Sequence, residues 1–259
     1  IEGSYPAVTD HIERIFIDES SINIGKSGRE WYGNLTGRNS FTEYFLETPG
    51  ARDSIHVQLE LVGVSYTGAE FEVSMNGTSM ENIPVSSVPD ESYQPLGDEV
   101  SKIYSFKHTD PELDIRYSIV TNGETRDLLS YTNRITLSYD RDLTLESDQL
   151  QFSLSANMDD PISTVEIFSE NLPDYVLDVS NSTSFSAIPF DYENNSLRFN
   201  SDRSKERNYV VFRGNDFPRP EFEGTVPNQN LKSLSPADGL IVTHPDFLSQ
   251  AERLAFFHS

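Results

Sequence analysis

Apolar side chains at every second position recur along the first half of this sequence, and this period of two restricts its fold more than any other feature. The longest such segment runs from Leu129 to Tyr139, with mostly large side chains at odd positions and polar ones at even positions. Three further segments repeat the alternation: 55–61, 69–75 and 113–119. Strands with one dry and one wet face belong to antiparallel sheets, and two such sheets stack into a sandwich. The pattern predicts an all-β chain whose first domain, residues 1–142, is a jelly-roll-like β-sandwich.

Short strands separated by Pro, Asn and Asp continue beyond this point, and they predict a second small β domain over residues 143–217. The predicted strands contain these segments: 150–154, 165–167, 175–179, 184–189, 196–199 and 208–213. In the first domain, Asn76 and Gly77 tolerate positive φ and predict a tight turn. Long loops over residues 19–39 and 84–98 are rich in turn formers, and loops of this kind on a rigid scaffold often carry binding sites.

The C-terminal part of the chain has a different pattern. Residues 218–234 contain several prolines and predict an extended linker. Residues 239–243 form a continuous apolar run, which predicts a strand covered on both faces, and the helix that follows is expected to be capped by Thr243 or His244. One strand and one helix cannot bury both faces of a sheet. Residues 235–259 are therefore predicted to be the truncated start of an α/β domain.

Charge and composition exclude several classes of function. The 19 basic and 42 acidic side chains give a formal net charge of −23, which argues against binding a nucleic-acid backbone. The chain contains no cysteine, which excludes disulfides, thiolate metal sites and a thiol nucleophile in this stretch. No apolar run is long enough to form a transmembrane segment.

Residue types that carry catalysis or bind metals show no recognisable spacing. The five histidines form no H-E-x-x-H or similar motif, and the sequence has no G-x-S-x-G elbow. Acidic pairs such as Asp159 and Asp160 lack the spacing of a defined carboxylate site. The sequence therefore predicts no catalytic residue, no metal ligand and no cofactor, with a structural calcium ion in a carboxylate-rich loop as the open alternative.

Trp31 and Tyr32 are the candidate binding residues. Trp31 is the only tryptophan and lies in the loop of residues 19–39, where an exposed indole can stack on a ligand. A packed role at the end of the sandwich is the competing interpretation of Trp31. A carbohydrate-binding or cell-surface adhesion module is accordingly the alternative function.

Three segments carry a resemblance to a known family. Residues 220–245 begin with Pro-Glu-Phe-Glu-Gly-Thr-Val-Pro-Asn-Gln-Asn-Leu, end with Ile-Val-Thr-His-Pro, and are followed by Ala-Glu-Arg-Leu-Ala at 251–255. Residues 28–33 read Gly-Arg-Glu-Trp-Tyr-Gly, and residues 133–137 read Asn-Arg-Ile-Thr-Leu. Residues 220–245 with 251–255 resemble the junction to the peptidase domain of PorU-type sortases. Residues 28–33 resemble the G-x-E-W-[FY]-G signature of these sortases, and residues 133–137 resemble their closing jelly-roll strand. These sortases of the type IX secretion system are gingipain-family (C25) cysteine peptidases.

The resemblance implies that this chain and a peptidase domain have different functions. Proteins of this family remove the carboxy-terminal secretion signal from exported cargo and attach the cargo to anionic lipopolysaccharide. Their caspase-like domain carries its His–Cys dyad downstream of the opening strand and helix, and His244 matches the opening motif, so the resemblance implies no catalytic residue here. The β domains would position the peptidase domain and contact secretion-system outer-membrane proteins and cargo signal domains. The implied location is the outer-membrane-associated cell surface of a Bacteroidota-type bacterium.

Overall fold

The computed structural model describes residues 5–26, 28–89, 96–121, 123, 128–214, 219–227, 230–233 and 239–258. The chain divides into two compact units, Ile1–Asn215 and Asp216–Ser259. All strands within the described ranges lie in the first unit, and the second contains helix α1, Leu248–His258. The prediction of an all-β chain with a short C-terminal helix is confirmed.

The first unit is built from eighteen strands within the described ranges. In chain order they are β1 (Ala7–Val8), β2 (Asp10–Ile17), β3 (Gly33–Gly37), β4 (Thr42–Glu47), β5 (Ala51–Val64), β6 (Ala69–Met75), β7 (Thr78–Ser79), β8 (Ile83–Val85), β9 (Asp98–Lys107), β10 (Glu112–Val120), β11 (Leu129–Asp142), β12 (Gln149–Leu154), β13 (Ile162–Phe168), β14 (Tyr175–Asn181), β15 (Ser184–Ala187), β16 (Asp191–Glu193), β17 (Ser196–Asp202) and β18 (Arg207–Phe212).

Two antiparallel sheets form the first lobe. One has the strand order β2-β11-β5-β9, with β3 also paired to β11, and the other has the order β4-β10-β6-β7, with β8 also paired to β6. Their facing side chains fill one core, and the inward positions predicted for 55–61, 69–75 and 113–119 are observed. The central buried members are Ile55, Val57, Leu59, Leu61, Phe71, Val73, Met75, Leu113, Ile115, Tyr117 and Ile119. The predicted turn between β6 and β7 is confirmed, with φ of 47° at Asn76 and 73° at Gly77.

Strand β11 departs from the single alternating face that its sequence predicts. The register with β5 shifts between Thr132 and Arg134, so Asn133 is the extra residue of a β-bulge. An inserted residue exchanges the faces of the side chains on its two sides. Ile135 therefore points into the core, whereas Tyr131 packs on the outer face of the sheet.

A second pair of sheets forms the second lobe. Their strand orders are β1-β13-β17-β16 and β12-β18-β14-β15, and they enclose a separate core. The first strand of the chain belongs to this lobe, because Ala7 and Val8 pair in parallel with Thr164 and Val165 of β13. In β14 the buried position is Val176, one residue away from the face that the sequence suggests. The buried members of this core are Leu143, Leu145, Leu150, Phe152, Leu154, Val165, Ile167, Val176, Leu197, Phe199, Tyr209 and Val211.

The second unit confirms the predicted helix but not the predicted strand. His244 has extended backbone angles, and its ring Nδ1 accepts a hydrogen bond from the backbone N–H of Asp246 at 3.3 Å. Pro245 follows as the first residue of a 3₁₀ turn that leads into α1, which is the predicted cap. Residues 239–243 form no β pairing within the described ranges, and Leu240 and Val242 are exposed. The strand expected there is absent because a strand requires a neighbouring backbone to pair with.

Candidate functional site

A loop between β2 and β3, residues 18–32, packs on the outer face of one sheet and contains both candidate binding residues. Its ends are joined by two backbone hydrogen bonds of 2.8 Å, one in each direction between Ile22 and Tyr32. Apolar side chains of the loop join outward-facing side chains of β5 and β11 in a small cluster, the loop cluster. Its buried members are Tyr32, Val62, Val64 and Tyr131, with Ile22, Ile24 and Leu129 packed against them. The loop therefore covers a sheet face that would otherwise be solvated.

Tyr32 is a packed residue of this cluster. It is 6% exposed, and its ring lies 6.2 Å from that of Tyr131, centroid to centroid. Its hydroxyl donates to the Glu99 carboxylate of β9 at 2.7 Å. Burial, reinforced by the hydrogen bond and the negative charge of Glu99, raises the pKa of the Tyr32 phenol. The phenol is therefore neutral and ties the loop to the edge strand of the sheet.

Trp31 is the exposed neighbour of Tyr32. Its side chain is 45% exposed. Because adjacent residues of an extended segment point in opposite directions, the burial of Tyr32 leaves the indole facing away from the loop cluster. A binding role for Trp31 or Tyr32 stays a prediction, and of the two only Trp31 offers an exposed aromatic surface.

Two glycines of the 28–33 segment have a backbone function. A Cβ on Gly33 would lie 2.4 Å from the Cβ of Glu19, a distance at which one of the two must move. Gly28 has a φ of +75°, in the left-handed region that favours glycine. A close approach of the backbone explains the glycine at position 33, and a left-handed conformation explains the one at position 28.

A buried polar network lies between the sheets beside this loop. Thr132, which the bulge in β11 turns inward, accepts a hydrogen bond from the Tyr44 hydroxyl at 2.9 Å and shares one of 2.5 Å with the Tyr117 hydroxyl. The Tyr44 hydroxyl accepts in turn from the side-chain amide of Asn34 at 2.7 Å. Burial raises the pKa of Tyr117 to about 12. Hydrogen bonds between these buried side chains therefore join the two sheets at this end of the sandwich.

His11 lies where the two lobes of the first unit meet, and sequence analysis did not single it out. It is 5% exposed, and its ring is 5.9 Å from that of Phe152. Among the described residues, neither ring nitrogen has a hydrogen-bond partner. Burial lowers the pKa of His11; the nearby Glu13 opposes the shift, and Arg141 adds to it. Its strand was missed because apolar residues occupy both faces of β2, which obscures the period of two.

Lowering the pH from 7.5 to 5.5 is expected to destabilise the first unit through His11. In the unfolded chain the imidazole has its ordinary pKa of about 6.5, so below that pH the unfolded state binds the extra proton more readily than the folded state. The contribution of the neutral His11 to the free energy of unfolding is fully present above about pH 6.5. It decreases as the pH falls toward the folded-state pKa, by at most about 1.4 kcal/mol per pH unit. Urea unfolding at both pH values measures the loss. Between these two pH values, the free energy of unfolding should fall less in the variant His11→Phe than in the wild type. An identical fall in both proteins contradicts the role of His11 in the pH dependence.

The remaining histidines and acidic pairs show no metal-binding geometry. His56 is exposed on the polar face of β5 and its Nδ1 lies 2.7 Å from the Ser105 hydroxyl, as expected for a solvated side chain. Across the residues that the structure describes, no group of three His, Asp or Glu side chains is placed to hold a metal ion. The acidic pair Asp90 and Glu91 lies outside the described residues. No helix in the described ranges has the length and apolar character needed to cross a membrane.

Comparisons with known proteins identify the fold. The crystal structure of dimeric latent PorU from Porphyromonas gingivalis matches with a TM-score of 0.74 and 18% identity, over 99% of this chain and 25% of that chain. The insecticidal δ-endotoxin Cry8Ea1 from Bacillus thuringiensis gives a TM-score of 0.32 with 15% identity, over 40% of this chain and 18% of that chain. The carbohydrate-binding module CBM36, in complex with calcium and xylotriose, gives 0.31 with 10% identity, over 48% of this chain and 98% of that module.

Neither the protein-family models nor the curated protein sequences give a match. The scores for the δ-endotoxin and for CBM36 are too low to carry an argument. This chain thus spans about a quarter of the length of the PorU chain, and at 18% identity the similarity concerns the fold alone. The chain therefore has a PorU-like fold over 99% of its length.

Proposed function

We propose that this chain is the non-catalytic amino-terminal β region of a PorU-type sortase of the type IX secretion system. In this role the two lobes position a cysteine peptidase domain and contact secretion-system outer-membrane proteins or cargo signal domains at the cell surface of a Bacteroidota-type bacterium. The observation that carries the proposal is the backbone match to latent PorU over 99% of the chain. The junction segment 220–245 supports it independently, since that resemblance lies in the sequence.

The exposed apolar side chains of the second unit also support this proposal. Leu240, Val242, Phe256 and Phe257 are each more than four-fifths exposed. Large apolar side chains at such density are normally covered by further protein. We propose that residues 235–259 open the peptidase domain, that 218–234 is the linker, and that the two lobes correspond to residues 1–142 and 143–217 apart from β1.

Catalysis would belong to the peptidase domain and not to this chain. The family's nucleophile is a cysteine thiolate, and the chain contains no cysteine. We therefore expect the purified chain to cleave no cargo signal peptide. Cleavage that persists through repeated purification would overturn this division of labour.

Affinity capture tests the proposed contacts. The purified chain is immobilised and exposed to detergent-solubilised outer membranes from a Bacteroidota strain with an intact type IX system, and from an isogenic strain without it. We expect mass spectrometry to identify outer-membrane components of the secretion system, or cargo signal domains, only in the first eluate. Cooperative unfolding of the immobilised preparation verifies that the chain is folded. A folded chain that retains none of these proteins contradicts the partner role.

A carbohydrate-binding module is the second candidate function, favoured by the exposed indole of Trp31. Aromatic faces of this kind stack on sugar rings. Calorimetric titration with surface polysaccharides, with and without calcium, separates the two candidates. Saturable binding that Trp31→Ala abolishes would favour the module, and absence of heat would leave the sortase region as the sole candidate.

A further inference from the structure

A cleft between the two lobes of the first unit runs along the edges of two sheets. It has a volume of about 470 Å³, and its walls include the consecutive residues 11–14 of β2 and 151–153 of β12. Successive side chains of a strand point to opposite faces, so a cleft lined by consecutive residues follows the strand's edge rather than one of its faces. Both strands end their sheets: in the described chain β2 pairs only with β11, and β12 only with β18.

The backbone of β2 directs hydrogen-bonding groups to this cleft that no strand pairs with in the part of the chain that the structure describes. The N–H of Leu143 donates to the C=O of Thr9 at 2.8 Å and continues the β2–β11 ladder by one residue pair. Backbone groups alternate in direction along a strand, so odd-numbered residues of β2 point toward β11. Ile12, Arg14 and Phe16 then direct their N–H and C=O groups to the free edge.

Glu13 provides independent support for this orientation. Its carboxylate Oε1 accepts a hydrogen bond of 3.2 Å from the backbone N–H of Arg14, which is available because that N–H points away from β11. The other oxygen, Oε2, is held by the Arg141 guanidinium at 2.8 Å. Glu13 therefore accepts a long hydrogen bond from the Arg14 N–H. If that N–H donates to a bound peptide instead, Glu13 keeps its ion pair with Arg141.

The outward side chains of the same three residues form an apolar–basic–apolar row. Ile12 is 45% exposed and Phe16 is 62% exposed, on either side of Arg14. The Arg14 guanidinium has no ion-pair partner among the residues that the structure describes. A free edge with exposed apolar side chains invites strand pairing unless something covers it.

We propose that this edge of β2 binds an extended segment of another protein by β-strand addition, and that the segment carries apolar, acidic and apolar side chains at alternate positions. The backbone of the segment pairs with the edge groups of Ile12, Arg14 and Phe16. Its acidic side chain lies across from Arg14, and its apolar side chains lie across from Ile12 and Phe16. The proposal rests on the geometry of the first unit and does not depend on the sortase assignment.

The charge of Arg14 favours a foreign segment over a second copy of this chain. Two antiparallel β2 strands that match Ile12 with Phe16 would place Arg14 opposite Arg14. Like charges directly opposite each other destabilise a strand pair. We therefore expect no dimer through β2, so Arg14→Pro should leave the sedimentation coefficient unchanged at concentrations that saturate the peptide site. A β2-mediated dimer that Arg14→Pro dissociates would overturn the choice of occupant.

Peptide binding tests the proposal. The probe is fluorescein-labelled Thr-Ile-Thr-Glu-Thr-Ile-Thr with a C-terminal amide, and the comparison peptide has Lys in place of Glu. We expect fluorescence anisotropy to give a Kd about tenfold lower for the Glu peptide, because like charges at an interface are strongly disfavoured. Arg14→Glu should reverse this preference. Lys107→Glu, on the β9 edge at the opposite side of the same sheet, should leave it unchanged.

A second set of variants separates backbone pairing from charge. Arg14→Gln keeps the backbone N–H at the edge of β2 and removes the charge. It should still bind both peptides, but without the preference for the Glu peptide over the Lys peptide. Arg14→Pro removes that N–H without removing a bond to β11, which an edge strand tolerates, and should weaken both peptides about tenfold relative to Arg14→Gln. In the wild type, the Glu peptide should slow hydrogen exchange at the amides of Ile12, Arg14 and Phe16. Equal binding by the Pro and Gln variants, or unchanged exchange at these amides, would overturn strand addition.

Discussion

Replacing Tyr117 by alanine is expected to lower the free energy of unfolding by about 3–5 kcal/mol, the range for removing a large buried aromatic side chain. Tyr117 is 1% exposed, and its ring contacts that of Phe71 edge-on at 5.8 Å. The substitution leaves a cavity between the two sheets and removes one of the hydroxyls bonded to Thr132. Urea denaturation followed by far-UV circular dichroism measures the effect.

Two control variants on β10 distinguish packing from hydrogen bonding. Tyr117→Phe keeps the ring, and Thr132 keeps its bond from the Tyr44 hydroxyl, so a loss of about 0.5–1.5 kcal/mol is expected. Glu112→Ala changes an exposed side chain of the same strand and should stay within about 0.5 kcal/mol. A loss below about 1 kcal/mol for Tyr117→Ala would mean that the core does not depend on this residue.

Tyr32→Ala and Trp31→Ala are expected to differ in their effects on stability, although the two residues are neighbours in the chain. Tyr32→Ala should lower the free energy of unfolding by about 3 kcal/mol, because it removes a buried aromatic ring that packs between the 18–32 loop and the sheet. Trp31→Ala should stay within about 0.5 kcal/mol, because the indole is exposed. Circular dichroism is the appropriate probe, since the chain has no other tryptophan.

Tyr32→Phe refines this prediction. It keeps the ring in the loop cluster and removes the 2.7 Å hydrogen bond to Glu99, so a loss of about 1 kcal/mol is expected. If Trp31→Ala proves as damaging as Tyr32→Ala, the indole is a structural residue and the candidate binding role of Trp31 is wrong. Equal stability of Tyr32→Ala and the wild type would instead mean that the loop does not depend on its packing against the sheet.

Sequence analysis was most successful where one strand face is buried and the other is wet. Ile55, Val57 and Leu59 are fully buried as predicted, because the alternation of a pleated backbone is a local property of consecutive residues. The sequence-based prediction failed where both faces of a strand are covered. At the end of β5, Val62 and Val64 are buried on the outer face by loop residues 30 to 42 positions earlier in the sequence. Strand periodicity contains no information about such distant residues.

The candidate binding residues show the same limit. The 28–33 segment drew attention to Trp31 and Tyr32 together, yet the structure buries one and exposes the other. The row of Ile12, Arg14 and Phe16 was not predicted as a binding site, because its proposed role depends on an edge of β2 that no strand pairs with in the described part of the chain. An unpaired edge is a property of the assembled sheet and has no signature in the residues themselves.

The order of residues by itself determined the β character of the chain, the inward faces of β5, β6 and β10, the tight turn at Asn76 and the cap of the C-terminal helix. Each of these depends on interactions within a few residues. Only the tertiary structure decided that β1 joins the second lobe, where Val8 pairs with Val165, and that β2 borders the cleft between the lobes. Those arrangements depend on contacts between residues far apart in the chain. Such contacts require the closure of long loops, and local sequence patterns do not report which distant segments meet.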